Sequence, residues 1–217
     1  MSDFLRQASE FLPILAQGLW LTVLVTVGSF VLSTVLGLVW ALMRVSGSAP
    51  LALIARVFVN VIRGIPIIVQ LYFIYFVMPD FGISLSALHA SIIGLGIAYS
   101  AYQSENFRAG IEAIDKGQVE AAQSIGMGWA LTMRRVILPQ AFRIILPPYG
   151  NIMVMMLKDS SQASTITVAE LSLQGKLIAS STFQNTTVFT LVAALYLCMC
   201  LPLIWLVGQL EKRAARG

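Results

Sequence analysis

Charged residues are what this sequence of 217 residues has least of. Lysine, arginine, aspartate and glutamate make up 11% of the chain, whereas an average soluble domain contains about 25%. Hydrophobic residues make up 58%, and the mean hydropathy is +0.83. So few charged side chains cannot cover the surface of a soluble fold of this size. The composition therefore excludes an ordinary soluble domain.

Cysteine and histidine are also scarce. Cys198 and Cys200 stand two residues apart in an apolar stretch, so on a helix they point to different faces and cannot readily form a disulfide with each other. We expect them to be apolar packing residues. The single histidine, His89, is expected to be a polar residue at a helix end, with a proton relay as the alternative. These residues predict no metal site.

The charges that are present cluster, and five long stretches between the clusters carry almost none. Crossing the hydrocarbon core takes about 20 apolar residues in a helix. The stretches predict five transmembrane helices, near residues 12–42, 57–78, 85–103, 144–168 and 188–207. The first is longer than one perpendicular crossing needs, so we expect it to be tilted or to begin along the membrane interface, broken at Pro13. Continuous apolar runs favour helices over a barrel, and residues 1–217 are therefore predicted to be one all-α integral membrane domain.

Basic residues set the predicted orientation. Five crossings place the termini on opposite sides of the membrane, and one side collects most of the lysines and arginines. That side should be the cytoplasm, so the N-terminus faces out and the C-terminus faces in. The basic residues on the cytoplasmic side are Arg44, Arg56, Arg108, Lys116, Arg134, Arg135, Arg143, Lys212, Arg213 and Arg216. The net charge of +4 is then a topology signal, and we expect no nucleic-acid partner.

One long polar loop, between residues 103 and 143, lies on the predicted cytoplasmic side. Asp115 is placed to cap a short helix over residues 118–124. Gly126 can end that helix in a left-handed turn, and a second short helix is predicted over residues 129–138, ahead of a proline. The loops on the outer side, over residues 79–88 and 170–184, are short.

Four sets of residues, in order along the chain, resemble the permease subunits of ABC importers, and more narrowly the polar amino acid branch. The polar loop resembles the EAA loop of that family in Gly117–Ala122, Ser124–Gly126 and Val136–Ala141. The other sets match the second, third and fourth spans: Arg63–Pro66 with Val69–Leu71, Ser100–Tyr102 with Glu105, Arg108, Gly110 and Ile111, and Leu146–Asn151 with Leu157–Ser161. The resemblance covers roughly residues 17 to 210.

The resemblance implies a type I ABC importer permease fold and a subunit of an ATP-driven amino acid importer. In such importers the EAA loop, here residues 108–140, forms a coupling helix that sits in a cleft of a cytoplasmic ATPase. The coupling residues implied here are Gly117, Glu120, Ala121, Ala122 and Gly126. The implied partners are a second permease chain (the same or a paralogue), two cytoplasmic ABC ATPase subunits, an outer amino-acid-binding protein and membrane lipid. The implied location is the inner (plasma) membrane of a bacterium.

The chain contains no Gly-x-x-x-x-Gly-Lys-Ser/Thr loop that would hold a nucleotide phosphate. It also contains no convincing nucleophile triad. We therefore expect that it is not an enzyme and holds no cofactor, and that ATP and Mg²⁺ are bound by the separate ATPase.

A pair of charges interrupts the predicted fourth span. Lys158 and Asp159 lie inside it, where ionisable groups are expensive and usually face a cavity or a partner. A zwitterionic amino acid needs donors for its carboxylate and an acceptor for its ammonium group. Our hypothesis is that the translocation path is lined by Asp159, Ser160, Ser161, Gln103 and Asn151. The alternative is that Lys158 and Asp159 pair with other helices and hold a dimer together.

The sequence departs from the family at Ile152, where many members carry a glutamate or glutamine after the Gly-Asn of the fourth helix. One acceptor for a cationic side chain is therefore missing, which favours a neutral or broad substrate over an arginine, lysine or histidine specialist. The alternative is that a paralogous partner chain carries the acceptor at this position.

Two other classes of protein stay open from the sequence. A secondary transporter driven by an ion gradient would be expected to show inverted repeats and discontinuous helices, and no repeat is apparent in the sequence. A non-transporting membrane scaffold would leave the Lys158-Asp159 pair unexplained.

Overall fold

The computed structural model describes residues 2–214, and every regular element in that range is helical, as predicted. The α-helices are α1 (Ser2–Val45), α2 (Ala49–Gly64), α3 (Ile67–Tyr72), α4 (Ala87–Glu112), α5 (Lys116–Ser124), α6 (Trp129–Thr132), α7 (Leu138–Asp159), α8 (Leu171–Thr182) and α9 (Asn185–Ala214). Short π or 3-10 segments follow α3 (Phe73–Val77 and Met78–Phe81), join α6 to α7 (Met133–Ile137) and follow α7 (Ser160–Ile166).

Helix α1 is continuous over 44 residues, so the suggested break at Pro13 is wrong. Its first part packs against α8 and α9 through Phe11 and Leu15. The remainder lies along α4, and glycines permit the close approach. A Cβ added at Gly37 would lie 2.6 Å from the Cβ of Gln103. Small residues at such contacts allow helix backbones to pack closely in a membrane.

The predicted second span is not one helix. Helix α2 ends at Gly64, α3 begins at Ile67, and the directions of Ala49–Gly64 and Ile67–Phe81 differ by 101°. Because Pro66 has no N–H, the helix cannot continue its hydrogen-bond ladder through this position. The apolar run on either side of Arg63 indicated a span but not its change of direction.

Gln70 satisfies the backbone groups that the bend leaves without donors. Its Nε2 donates to the carbonyls of Ile62 and Ile65, both at 2.8 Å. In an uninterrupted helix, the residue 62 carbonyl would accept from the N–H of residue 66, which Pro66 lacks. The side-chain amide of Gln70 thus replaces a missing backbone donor, and it does so while 8% exposed.

Three further boundaries differ from those predicted. Helix α4 continues well past residue 103 to Glu112, so the polar loop begins later. The helix predicted over residues 129–138 does not stop before Pro139, because a π segment at Met133–Ile137 carries it into α7. Such a segment accommodates a proline, which lacks a donor and crowds the preceding turn. The outer loop predicted over residues 170–184 contains α8.

Two described helices are long and apolar enough to cross a membrane alone, over Arg6–Val45 and Asn185–Arg213. The bent pair of α2 and α3 would supply a third crossing. Helix α4 is more polar, and it buries serine and glutamine side chains against its neighbours. The fold is therefore that of an all-α membrane protein, while the five crossings and their orientation stay predictions.

Replacing Gln70 tests the bend. Gln70→Leu keeps the side chain similar in size but removes its amide, which leaves two partly buried carbonyls without a donor. We expect the free energy of unfolding to fall by about 2 kcal/mol, measured by denaturation in detergent micelles. Gln184→Leu, on an exposed residue, serves as the control. Equal stability of the two variants would contradict this role of Gln70.

Candidate functional site

A cavity of about 240 Å³ opens between α3, α4 and α7. Its lining combines two tyrosines and one carboxylate with three apolar side chains: Ile67, Tyr99, Tyr102, Ile152, Met155 and Asp159. The tyrosines stand three positions apart on α4 and so share one face of that helix.

Asp159, the last residue of α7, places its carboxylate at the wall of this cavity. The Tyr99 hydroxyl donates to its Oδ2 at 2.6 Å, and Tyr99 itself is buried. Lys158 is exposed and lies elsewhere on the helix surface. Within the described residues, no ion pair joins Asp159 to a lysine or arginine. The carboxylate is thus oriented by the protein but not neutralised by it.

The other four predicted path residues do not line the cavity. Ser160 is fully buried and donates to the carbonyl of Leu157 at 2.7 Å, and Ser161 donates to that of Lys158 at 2.7 Å. Gln103 is buried against Gly37 of α1. The fourth, Asn151, is exposed on α7. The structure therefore brings Asp159 together with tyrosines rather than with these polar neighbours.

The two cavity tyrosines were missing from the predicted path residues, although the sequence contained a signal for them. Tyr102 lies in the Ser100–Tyr102 motif, and Tyr99 precedes that motif directly. A buried tyrosine hydroxyl needs a partner, and Asp159 was the acidic side chain available within a predicted span. Pairing the two would have required knowing that α4 and α7 pack together.

Helix α5 forms the centre of the polar loop, as predicted. The Asp115 carboxylate caps it by accepting from the backbone N–H of Gly117 at 2.7 Å. Gly126 ends the turn with φ +81°, a left-handed conformation that favours glycine. The helix begins at Lys116, slightly earlier than predicted.

Four of the five predicted coupling residues are exposed: Gly117, Glu120, Ala121 and Gly126. Ala122 is buried, so its small size serves packing within the chain. Two apolar side chains next to the helix stand in the open, Ile125 at 79% and Trp129 at 58% exposure. This exposed set, from Gly117 to Trp129, is called the loop surface below.

The loop surface is held to the helical bundle by an apolar cluster beneath it. Ile111 and Ile114 at the end of α4 pack with Met133, Ile137 and Ala141. The Gln140 side chain adds a hydrogen bond to Gln118, with Nε2 2.6 Å from Oε1. The helix that begins at Trp129 then runs without interruption to Asp159.

Three arginines from three helices surround Glu105 on α4. The carboxylate lies 2.5 Å from Arg44 of α1, 2.8 Å from Arg108 and 3.5 Å from Arg63 of α2. Glu105 lies beyond the predicted third span. Burial acts to raise its pKa, but hydrogen bonds from Arg44 and Arg108 outweigh that effect, so the pKa is lowered. The guanidinium of Arg63 also lies 5.5 Å from the ring centre of Tyr102.

We compared the chain with known protein families and solved structures to identify its family. Residues 33–216 match the family described as binding-protein-dependent transport system inner membrane component. The chain therefore belongs to this family and is the transmembrane permease of an ABC importer, a transport subunit that is not itself an enzyme. Membership also implies association with ATPase and substrate-binding components.

Individual relatives agree over nearly the whole chain. A probable amino-acid ABC transporter permease of Bacillus subtilis, YckA, is 38% identical, covering 97% of this chain and 93% of the relative. The L-cystine transport system permease TcyB of the same organism is also 38% identical, covering 99% and 91%. A crystal structure of an amino acid ABC transporter with histidines superposes with a TM-score of 0.91 at 40% identity, covering 97% of this chain and 98% of that one.

The turn that ends α5 can be tested with one substitution at two glycines. Serine at Gly126 would have to adopt φ +81°, at a cost of about 1 kcal/mol. Serine at position 128 can adopt without strain the φ of −68° that Gly128 has. Position 128 is the N-cap of α6, where a serine side chain is favoured. We expect Gly126→Ser to speed tryptic cleavage at the neighbouring basic residues about fivefold and Gly128→Ser to leave it unchanged or slower. Equal cleavage rates would show that the turn is not a constraint.

Proposed function

We propose that this permease imports amino acids and that the Asp159 cavity is part of the path they take. The observation that carries the proposal is the Asp159 carboxylate, held by Tyr99 at the wall of a cavity inside the helical bundle. An unneutralised carboxylate in such a place is costly unless a ligand or partner pairs with it. The ammonium group that every amino acid carries fits that need.

The remaining walls suit an uncharged side chain. Ile67, Ile152 and Met155 add apolar groups to the cavity lining, and Tyr102 adds a hydroxyl. With isoleucine at position 152, Asp159 is the one acidic group among the described residues that line the cavity, and the substrate's ammonium group uses it. We therefore favour neutral amino acids as substrates, while the names of the relatives support only the broader class of amino acids.

The loop surface is the proposed contact with a cytoplasmic ATPase. That ATPase, and not this chain, would bind the ATP and Mg²⁺. The exposed Ile125 and Trp129 of the loop surface offer an apolar contact, and Glu120 offers a charge to a basic group of the partner. The complete importer would contain two permease chains, two ATPases and an outer binding protein docked near residues 79–88 and 183–184. It would lie in a bacterial inner membrane, with each permease crossing five times, its N-terminus outside and its C-terminus inside.

The continuous helix from Trp129 to Asp159 suggests how the two sites communicate. It spans about 45 Å at 1.5 Å per residue, with the loop surface at one end and the cavity carboxylate at the other. ATP binding would close the ATPases and draw the loop surfaces of the two permeases together. The helix would carry that movement to Asp159, while the arginines around Glu105 keep α1, α2 and α4 moving as a unit.

Replacing Asp159 tests the proposed path. Asp159→Asn retains the shape and loses the charge, so we expect amino-acid-stimulated ATP hydrolysis to fall about tenfold or more, the effect of losing a charged hydrogen bond. The assay is the complex reconstituted with its ATPase and binding protein, screened against the common amino acids. Glu10→Gln, at an exposed position outside the cavity and outside the proposed docking surfaces, should behave as the unmodified protein. An Asp159→Asn complex that assembles and responds normally would refute the proposed path.

Replacing Ile152 tests the proposed selectivity. Ile152→Glu adds a second carboxylate to the cavity wall, so we expect the ratio of arginine to glutamine uptake to rise about tenfold. Ile152→Gln has nearly the same shape without the charge and should leave that ratio close to the starting value. If both variants shift the ratio equally, cavity charge does not decide selectivity.

A further inference from the structure

Glu170 is a buried carboxylate that the transport proposal does not use. It is fully buried at the junction of α1, α8 and α9. Its Oε1 accepts from the backbone N–H of Leu173 at 2.9 Å, and its Oε2 accepts from that of Ser172 at 3.0 Å. The Tyr196 hydroxyl donates to Oε2 at 2.8 Å, and the Thr22 hydroxyl shares its hydrogen between the Gly18 carbonyl at 3.1 Å and Oε2 at 3.4 Å. No cationic side chain in the described part of the chain forms an ion pair with it.

The contact with α1 is tight enough to fix the backbone next to Glu170. The Leu171 N–H donates to the Thr22 hydroxyl at 3.1 Å. One turn earlier, a Cβ added at Gly18 would lie 2.9 Å from the Cα of Leu171 and 3.0 Å from the carbonyl carbon of Glu170. Helix α1 thus packs directly on the backbone where α8 begins, and no other side chain would fit there without movement.

The segment that ends at Glu170 begins at Asp159. Between them, Ser160–Ile166 forms a 3-10 helix, and Thr167 follows with φ 69°. The apolar side chains of Ala163, Ile166 and Val168 are buried in the same cluster as Tyr99. The whole connection is therefore packed against the protein, so a displacement at one end is passed to the other.

We infer that Glu170 is a positioning residue, which anchors the segment 159–170 to α1 and α9 and so fixes where the Asp159 carboxylate stands in its cavity. The two ends are held alike, because a tyrosine hydroxyl from another helix donates to each carboxylate. This inference rests on the proposed role of the Asp159 cavity.

A carboxylate suits the anchor better than another helix cap. Its two oxygens accept all four donors and bring none of their own. A glutamine would turn its NH₂ group toward the N–H of Leu173 or toward the donors on the other oxygen. A serine or aspartate could still cap α8 but would be too short to reach both Tyr196 and Thr22.

The test reads the position of the Asp159 charge without measuring transport. Met155, which lines the cavity and is 49% exposed, is replaced by cysteine in a Cys198→Ser, Cys200→Ser background. The full permease–ATPase complex in nanodiscs is treated with 2-aminoethyl methanethiosulfonate, which is cationic, and methyl methanethiosulfonate, which is neutral. The ratio of the two reaction rates reports how closely a negative charge faces residue 155.

Three variants disturb the anchor, and each has a matched control. Tyr196→Phe removes one donor, and its control is the exposed Tyr72→Phe. Gly18→Ala pushes α8 from α1, and its control is Gly208→Ala, where the added Cβ meets nothing within 4 Å. The third pair is Glu170→Gln with the exposed Glu10→Gln. Tyr196→Phe leaves three donors in place, so it keeps the test available if Glu170→Gln does not fold.

We expect Asp159→Asn to lower the cationic-to-neutral ratio about threefold or more, as loss of a nearby charge should. Tyr196→Phe, Gly18→Ala and Glu170→Gln should also lower the ratio, while all three controls leave it unchanged. The inference is overturned if the anchor variants reduce only the thermal unfolding midpoint and keep the starting ratio. It is also overturned if Asp159→Asn itself has no effect. Failure of amino acid transport with an intact ratio pattern would refute the proposed function and leave the anchor standing.

Discussion

The hydrocarbon core contains no water, so each polar group inside it needs a partner from the protein itself. This constraint accounts for the places where the chain departs from a simple bundle. At the α2–α3 bend, the Gln70 amide donates to two carbonyls that the break leaves exposed. Where α8 begins, Glu170 accepts from two backbone N–H groups. The Asp159 carboxylate accepts a hydrogen bond from a single tyrosine hydroxyl, so its oxygens can still accept hydrogen bonds from a ligand.

The same constraint connects the cavity to the loop surface. A membrane helix satisfies its backbone only while it continues, and the helix from Trp129 passes Pro139 through a π segment instead of stopping. Pro147 and Pro148 also lie inside α7 without ending it. One continuous helix thus reaches from the loop surface to the cavity carboxylate, which would provide the connection needed for the proposed coupling to a separate ATPase.

Much of this architecture followed from the sequence because its signals were local. The apolar runs predicted a membrane protein built of helices, and the Asp115 cap and the Gly126 turn were predicted from single residues and confirmed. Asp159 stood out because a charge inside an apolar run is rare. The structure places it on the wall of a cavity, and its role on the path stays a prediction.

What the sequence did not predict depended on packing between helices. In a span that is apolar on all sides, no polar stripe shows which face is buried, so Gln103 and Ser160 were expected on the path but lie inside the bundle. The polar residues of helix α8 resemble those of a loop, so the sequence predicts a loop where the structure has a helix. The partners of Glu170 come from residues far along the chain, and only the folded structure brings them together.

The energy source of transport is the most direct test of the account. The permease is reconstituted in liposomes with its ATPase and binding protein, and uptake of a stimulating amino acid is followed with ATP supplied to the ATPase side. We predict accumulation that requires ATP and persists when ionophores abolish proton and sodium gradients. Uptake that proceeds without ATP and stops when those gradients are abolished would contradict the assignment as an ATP-driven importer.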